Sequence, residues 1–386
     1  MSTVLGKGRV KTFNAPPEHW RRQLVKLPWL LLMPLAQLLK ELGDANHEII
    51  ETVYSRGIYP VLSQIINFVF KWIPTSMAEL ILYSGSACIV VYVLVQLWRI
   101  AVKKERLLRA FRLAVNLSLV ACVGYFLFIA LWGLNYYRQP LAQTLDYPVT
   151  PRSLIELKAL CTSLADDANR LRALVPESDQ GHLSLTGGKA ATLKKVPNAY
   201  HALSRTYPLF SARYGSPKPV LLSYLMSFTE TQGIFIPFTM EPNVNIDMPD
   251  VFFASTACHE EAHLYGFARE DEANFISYLA CMASDDPELQ YSGTLLALVT
   301  SMNALCGHSS EAYWQISDTY SDGVKRDLWN HDAYWDQFKG PVAEASTSMN
   351  NTYLKSNKQA DGVKSYGRMV DLLLAMRAKN VQLEEN

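Results

Sequence analysis

The chain has 386 residues, room for a membrane part and one sizeable domain. Its 36 Lys and Arg match its 36 Asp and Glu, so the charge balance speaks against nucleic acid and against a strongly acidic partner. Six cysteines, at 88, 122, 161, 258, 281 and 306, make no Cys-x-x-Cys pair, which excludes a cysteine zinc knuckle and a thioredoxin-like motif.

Residues 1–26 are polar and basic, with Lys7, Arg9, Lys11, Arg21, Arg22 and Lys26. The apolar run 27–39 follows, with Pro28 and Pro34 inside it and no small-residue cleavage site behind it. It reads as a first membrane segment over 27–42. A re-entrant or interfacial helix is the alternative, because a crossing takes about 20 residues. After a turn at 54–60, an amphipathic piece at 61–72 suits the membrane surface. Further spans are predicted over 78–98 and 111–134. Between them lie Arg99, Lys103, Lys104, Arg106, Arg109 and Arg112 against Glu105, and such loops stay inside. The basic N-terminus falls inside by the same rule. Both hold only with three crossings, which puts 135–386 on the outer face.

Residues 132–138 carry aromatic residues that would anchor the last span at the interface. A helix is predicted over 151–174, where Leu154, Leu157, Leu160 and Leu164 share a face. A polar loop spans 175–188, and more helix runs to about 206. The period then changes, and 219–223 and 233–239 read as strands. The second is a candidate template for an extended peptide, with a plain core strand as the equal alternative. Glu241, Asn243 and Asn245 fit either support of a nearby site or loop capping. Helices are predicted over 273–283, 291–306 and 363–378. His308 and His331 read as ordinary surface or core residues.

The chemistry concentrates in the stretch 256–274, centred on His259-Glu260-Glu261-Ala262-His263. On a helix, residues four apart share a face, so His259 and His263 point the same way and can grip one zinc ion. Glu260 is placed to take a proton from a water activated by that ion. The bland alternative is a polar helix face with two surface histidines. Gly266 is a natural end for the helix. A third ligand is needed, and Glu270 and Glu272 are the candidates. On an unbroken helix Glu270 would lie about 10 Å beyond His263 along the axis, too far to reach the ion, so the helix must break at Gly266. Glu270 and Asn274 then share a face, with Asn274 orienting a ligand. Glu272 points elsewhere. Both acids could instead be charges that suit a helix's first turn.

Taken together, 259–274 resembles the corresponding run of an uncharacterised bacterial membrane-protein family, domain of unknown function 3810. The stretches 54–60 (Tyr-Ser-Arg-Gly-Ile-Tyr-Pro), 132–137 (Trp-Gly-Leu-Asn-Tyr-Tyr), 233–239 (Gly-Ile-Phe-Ile-Pro-Phe-Thr) and 361–366 (Asp-Gly-Val-Lys-Ser-Tyr) are similar to its other signatures. The resemblance implies a membrane protein and no established activity. Glu270-x-x-Ala273-Asn274 is also similar to the pattern that carries the third ligand in CAAX-processing and stress-response membrane proteases and in ImmA-like repressor-cleaving proteases, where longer insertions separate it from the histidines. In metzincins a glycine at the offset of Gly266 returns a third histidine to the zinc; here Arg269 stands at that place.

The sequence is therefore read as a mainly α membrane protein. Three N-terminal transmembrane helices (27–42, 78–98, 111–134, within a membrane region 27–134) follow the cytoplasmic segment 1–26. A zincin-like, mostly helical α+β domain with a small sheet occupies 135–386. The expected function is a multi-pass, membrane-anchored zinc metallopeptidase of the cell membrane with its catalytic domain outside. Glu260 is its base, and His259, His263 and Glu270 hold Zn2+. A peptide or protein is its substrate, and the lipid bilayer its surroundings. The alternative is a non-enzymatic membrane receptor or assembly factor with a structural zinc site.

Overall fold

The computed structural model describes residues 18–359, 362 and 368–385. Lys7, Arg9, Lys11 and the residues 363–367 that open the predicted C-terminal helix lie outside these. The chain divides into two compact units, Met1–Leu38 with Gly85–Leu127, and Leu39–Ser84 with Phe128–Asn386.

The smaller unit is helical. It holds the first part of α1 (Leu32–Ala45) and most of α3 (Met77–Val102) and α4 (Arg106–Leu131); α2 (Tyr59–Phe70) lies between them in sequence and belongs to the larger unit. Inside this unit, Lys26 Nζ donates to Asn116 Oδ1 at 2.8 Å, and Asn116 Nδ2 donates to the Tyr92 hydroxyl at 2.6 Å. Among the described residues, α3 and α4 are long and apolar enough to cross a membrane. That makes two such helices and not the three expected. The run from 27 opens as a 3-10 turn, Leu27–Leu31, and α1 adds 14 residues. Fourteen residues rise about 21 Å, short of the roughly 30 Å hydrocarbon core. Its second half also carries Lys40, Glu41 and Asp44.

The larger unit is mainly helical around a three-stranded sheet. Its long helices are α5 (Leu154–Arg172), α6 (Gly188–Thr206), α7 (Phe253–Leu264), α8 (Glu270–Ala283) and α9 (Pro287–His308), followed by α10 (Ser310–Ser317), α11 (Asp322–Asp336), α12 (Pro341–Ser356) and α13 (Met369–Glu385). Local signals start several of them. Ser153 and Glu156 form a reciprocal capping box at α5, and Asp286 accepts from the Glu288 amide at α9. α9 packs along α5 and α8, and α8 along α7. Leu164, Ala168 and Leu171 of α5 meet Tyr291, Leu295 and Leu298 of α9 in one continuous core with Phe275 and Leu279 of α8.

The sheet has the order β1 (Lys218–Val220), β3 (Glu241–Asn245), β2 (Gly233–Ile236). β1 runs parallel to β3 and β2 antiparallel, with Gly233 opposite Val244 and Ile236 opposite Glu241. The two predicted strands are present but shorter. β3 was not foreseen, because Glu-Pro-Asn-Val-Asn shows no apolar alternation, yet all five residues are buried. Glu241 of this strand accepts from the Ala78 amide at 2.8 Å, capping the start of α3. In return, Glu79 of α3 accepts from the amides of Leu221 and Leu222.

Candidate metal centre

α7 follows a buried 3-10 turn, Asp250–Phe252, and ends as Gly266 allows. The Phe267 amide donates back to Ala262 O and the Gly266 amide to His263 O, the paired bonds of a glycine-stopped helix. Gly266 has φ +83°, where an L side chain is strained. An added Cβ there would also lie 2.9 Å from the Tyr59 ring. The chain then runs extended through Arg269, and α8 starts at Glu270. This corner folds the first turn of α8 back over the histidine face of α7.

The corner brings three donors together. Ligand atoms of His259, His263 and Glu270 all lie within 4.8 Å of one another. Glu270 Oε2 is 3.1 Å from His259 Nε2 and 3.6 Å from His263 Nε2. The opposite nitrogens are already committed: His259 Nδ1 bonds Asn274 Oδ1 at 2.7 Å, and His263 Nδ1 bonds Phe267 O at 2.7 Å. Both acceptors require a proton on Nδ1. Each Nε2 therefore faces the Glu270 carboxylate, an arrangement satisfied by a proton on Nε2 or by a cation. The donor set of two imidazole nitrogens and one carboxylate oxygen fits zinc. Without a cation, burial opposes charge on His263, but the Glu270 and Glu260 carboxylates and the Phe267 carbonyl outweigh it and push its pKa up to about 9. Burial works to raise the Glu270 carboxyl, yet the two imidazoles hold it well below the usual carboxylate range.

Glu260 is almost fully buried beside these donors, and burial pushes its carboxyl up to about 7 against the pull of both histidines. β2 is its wall. A Cβ on Gly233 would come within 2.5 Å of Glu260 Oε1, so only glycine leaves the carboxylate its place. β2 is also an edge strand of the sheet, with Ile234 exposed. Glu261, the next residue, is 1% exposed; burial lifts its carboxyl well above the ordinary range, and among the described residues its Oε2 has no hydrogen-bond partner.

Residues far away in sequence hold the corner, and sequence reasoning gave them no role there. Arg138 pairs with both oxygens of Glu51 at 3.0 Å, donates to Gly266 O at 2.9 Å and lies 4.0 Å over the Phe267 ring. Glu51 sits in a π-helical stretch, Ile50–Ile58, that leads into α2. The Trp132 indole donates to His263 O at 3.2 Å, and the Tyr59 hydroxyl to Leu264 O at 3.0 Å. Trp132, Tyr136 and Tyr137, expected as interfacial anchors, are instead buried in this unit. The one sequence signal for Arg138 is a charge placed directly behind that aromatic run. Tyr353 of α12 accepts from the Tyr136 hydroxyl at 3.0 Å; burial and, more weakly, the nearby Glu270 charge push its phenol to about 12. Nothing in its sequence surroundings marked it.

Other polar side chains of the unit are engaged elsewhere. Glu272 Oε1 accepts from the Leu141 amide at 2.7 Å and from Arg269 at 2.8 Å, away from the histidines. The Tyr265 hydroxyl donates to Ala212 O and that of Tyr291 to Asp327. Asn243 and Asn245 bond within the sheet and its loops. His331 packs its ring on Phe252.

A family model described as "Protein of unknown function (DUF3810)" matches residues 54–374. The chain belongs to this family. No curated protein and no solved structure matches it. Three of the stretches that resemble DUF3810 signatures converge on the corner: Tyr59 on the Leu264 carbonyl, Trp132 on the His263 carbonyl and Gly233 on Glu260. The fourth, 361–366, lies outside the described residues except for Gly362.

Proposed function

We propose that this DUF3810 protein is a membrane-anchored zinc peptidase with a zincin-like site. The observation that carries the reading is the convergence of His259 Nε2, His263 Nε2 and a Glu270 oxygen beside a buried carboxyl with a near-neutral pKa. Zinc held there would polarise the scissile carbonyl and acidify water at neutral pH. Glu260, poised near 7, accepts the proton of the attacking water and returns it to the leaving amine as the C–N bond breaks. Asn274 and the Phe267 carbonyl keep both imidazoles in the ligating tautomer. The outer edge of β2 offers unpaired backbone groups to an extended peptide. Three converging donors among the described residues leave room for a reacting group, which favours an enzyme over a closed structural site.

The membrane part of the reading rests on α3 and α4. Residues 39–84 and 128–386 pack into one unit, so both sit on one side, as an even number of crossings between them requires. The basic residues from Arg99 to Arg112 support a reading with the connecting loop inside and that unit outside. The decisive experiment measures zinc content and peptide hydrolysis on purified protein. Wild type and Glu260→Gln should each hold about one zinc, while Glu260→Gln loses about 10²–10⁴-fold in hydrolysis. His259→Ala should lose both. A zinc-free Glu260→Gln protein would overturn the assignment of roles.

A further inference from the structure

α2 is an inside-out helix. Its inward face is polar: Tyr59, Ser63 and Asn67, four residues apart, are buried. Each is matched. The Tyr59 hydroxyl donates to Leu264 O; Ser63 Oγ and the Tyr214 hydroxyl share a bond of 2.7 Å; Asn67 donates to Met240 O at 2.8 Å and accepts from the Gly215 amide at 2.9 Å. Its outward face, continued past the helix end, is Val61, Ile65, Phe68, Val69 and Trp72, all more than half exposed. Lys71 lies over the rings of Phe68 and Trp72, the pairing of a cation with aromatic side chains found at headgroup level. A second bare apolar piece, Leu221, Leu222, Tyr224 and Leu225, is tied through the Leu221 and Leu222 amides to Glu79 in the first turn of α3. Both surfaces therefore border the start of a helix apolar enough to enter a membrane.

The same elements touch the metal centre. Tyr59 of α2 bonds the carbonyl one residue past His263, and Trp132, directly after α4, bonds the carbonyl of His263 itself. The Trp132 ring is 5.5 Å from Phe235 of β2, and the exposed side chains of Ile234 and Phe238 rim that strand. The centre is thus within one side chain of a spanning helix's end, and its substrate edge is apolar.

We infer that the outer face of α2 and residues 221–225 sit in the headgroup–acyl boundary of the bilayer, and that the substrates are membrane-anchored polypeptides cut close to their anchor. This rests on the reading of α3 and α4 as spans and of the centre as a peptidase. The test uses full-length protein in lipid vesicles, with exposed Cys88 and Cys306 changed to Ser. Nitroxide labels are placed singly through Ile65→Cys, Leu225→Cys, Val91→Cys in α3 and Glu311→Cys in α10. Labels at 65, 225 and 91 should be accessible to oxygen and shielded from a water-soluble nickel complex, and the label at 311 the reverse. A water-exposed label at 91 overturns the spanning reading and the inference with it. A lipid-exposed 91 with water-exposed 65 and 225 overturns the inference alone. So do labels at 65 and 225 shielded from both reagents, which would mean that a second copy covers the face. In host cells, Glu260→Gln should cause uncleaved proteins with apolar anchors to accumulate. Accumulation of soluble proteins overturns the substrate class, and no accumulation overturns the peptidase reading too, while the labels still report the surface.

Discussion

The α7–α8 corner and α2 both turn polar side chains inward, and the two differ in what is left over. At α2 every inward polar group finds a protein partner, and the surplus is apolar surface facing out. At the corner the Nδ1 atoms are matched, but two Nε2 atoms and a carboxylate oxygen face one another. Burying polar groups is costly unless they are paired, so a buried set of two imidazoles and a carboxylate suits a cation, and an exposed apolar face suits lipid. One device joins the two regions. Glu51, ahead of α2, holds the Arg138 that clamps the Gly266–Phe267 turn.

Cutting that joint should have the largest effect. Arg138→Ala leaves the buried Glu51 carboxylate with one of its two arginine partners, the exposed Arg56, and should destabilise the larger unit by about 3–5 kcal/mol, read as a drop in Tm. A change under about 1 kcal/mol would show that the joint is decorative. The two nearby acids sharpen the contrast inside the corner. Glu270→Ala should weaken zinc binding by more than the roughly 10–100-fold typical of an orienting partner. Glu272→Ala should leave zinc affinity nearly unchanged and cost about 1–3 kcal/mol of stability, because the Leu141 amide and Arg269 lose their acceptor. The reverse result would make Glu272 the ligand. Next comes Gly233→Ala, whose Cβ displaces Glu260: zinc stays, and kcat should fall about 100-fold, as expected for a shift of about 1 Å in a reacting group.

The smallest effect is a proton count. His263 keeps its proton up to about pH 9 in metal-free protein. Below that pH zinc must displace the proton, so zinc uptake near pH 7.5 should release about one proton and weaken as pH falls. Titration calorimetry in buffers of different ionisation enthalpy reads the number. Uptake without proton release would mean that the site is already deprotonated.

Sequence alone determined what depends on near neighbours. The histidine face of α7 follows from a spacing of four, the stop at Gly266 from glycine's access to positive φ, and α3 and α4 from two long apolar runs flanking a basic loop. The helix at 154–172 follows from its leucine periodicity. Tertiary structure decided what depends on distant partners. β3 is a strand because β1 and β2 pair with its backbone, although three of its five side chains are polar. The run from 27 is short of a crossing because a 3-10 turn and charged residues divide it. The aromatic residues after α4 turn inward because the α7–α8 corner offers them carbonyls and rings. Tyr59 and Arg138, from far up the chain, also hold the turn at Gly266 that returns Glu270 to the histidines; no local pattern records a contact across more than a hundred residues.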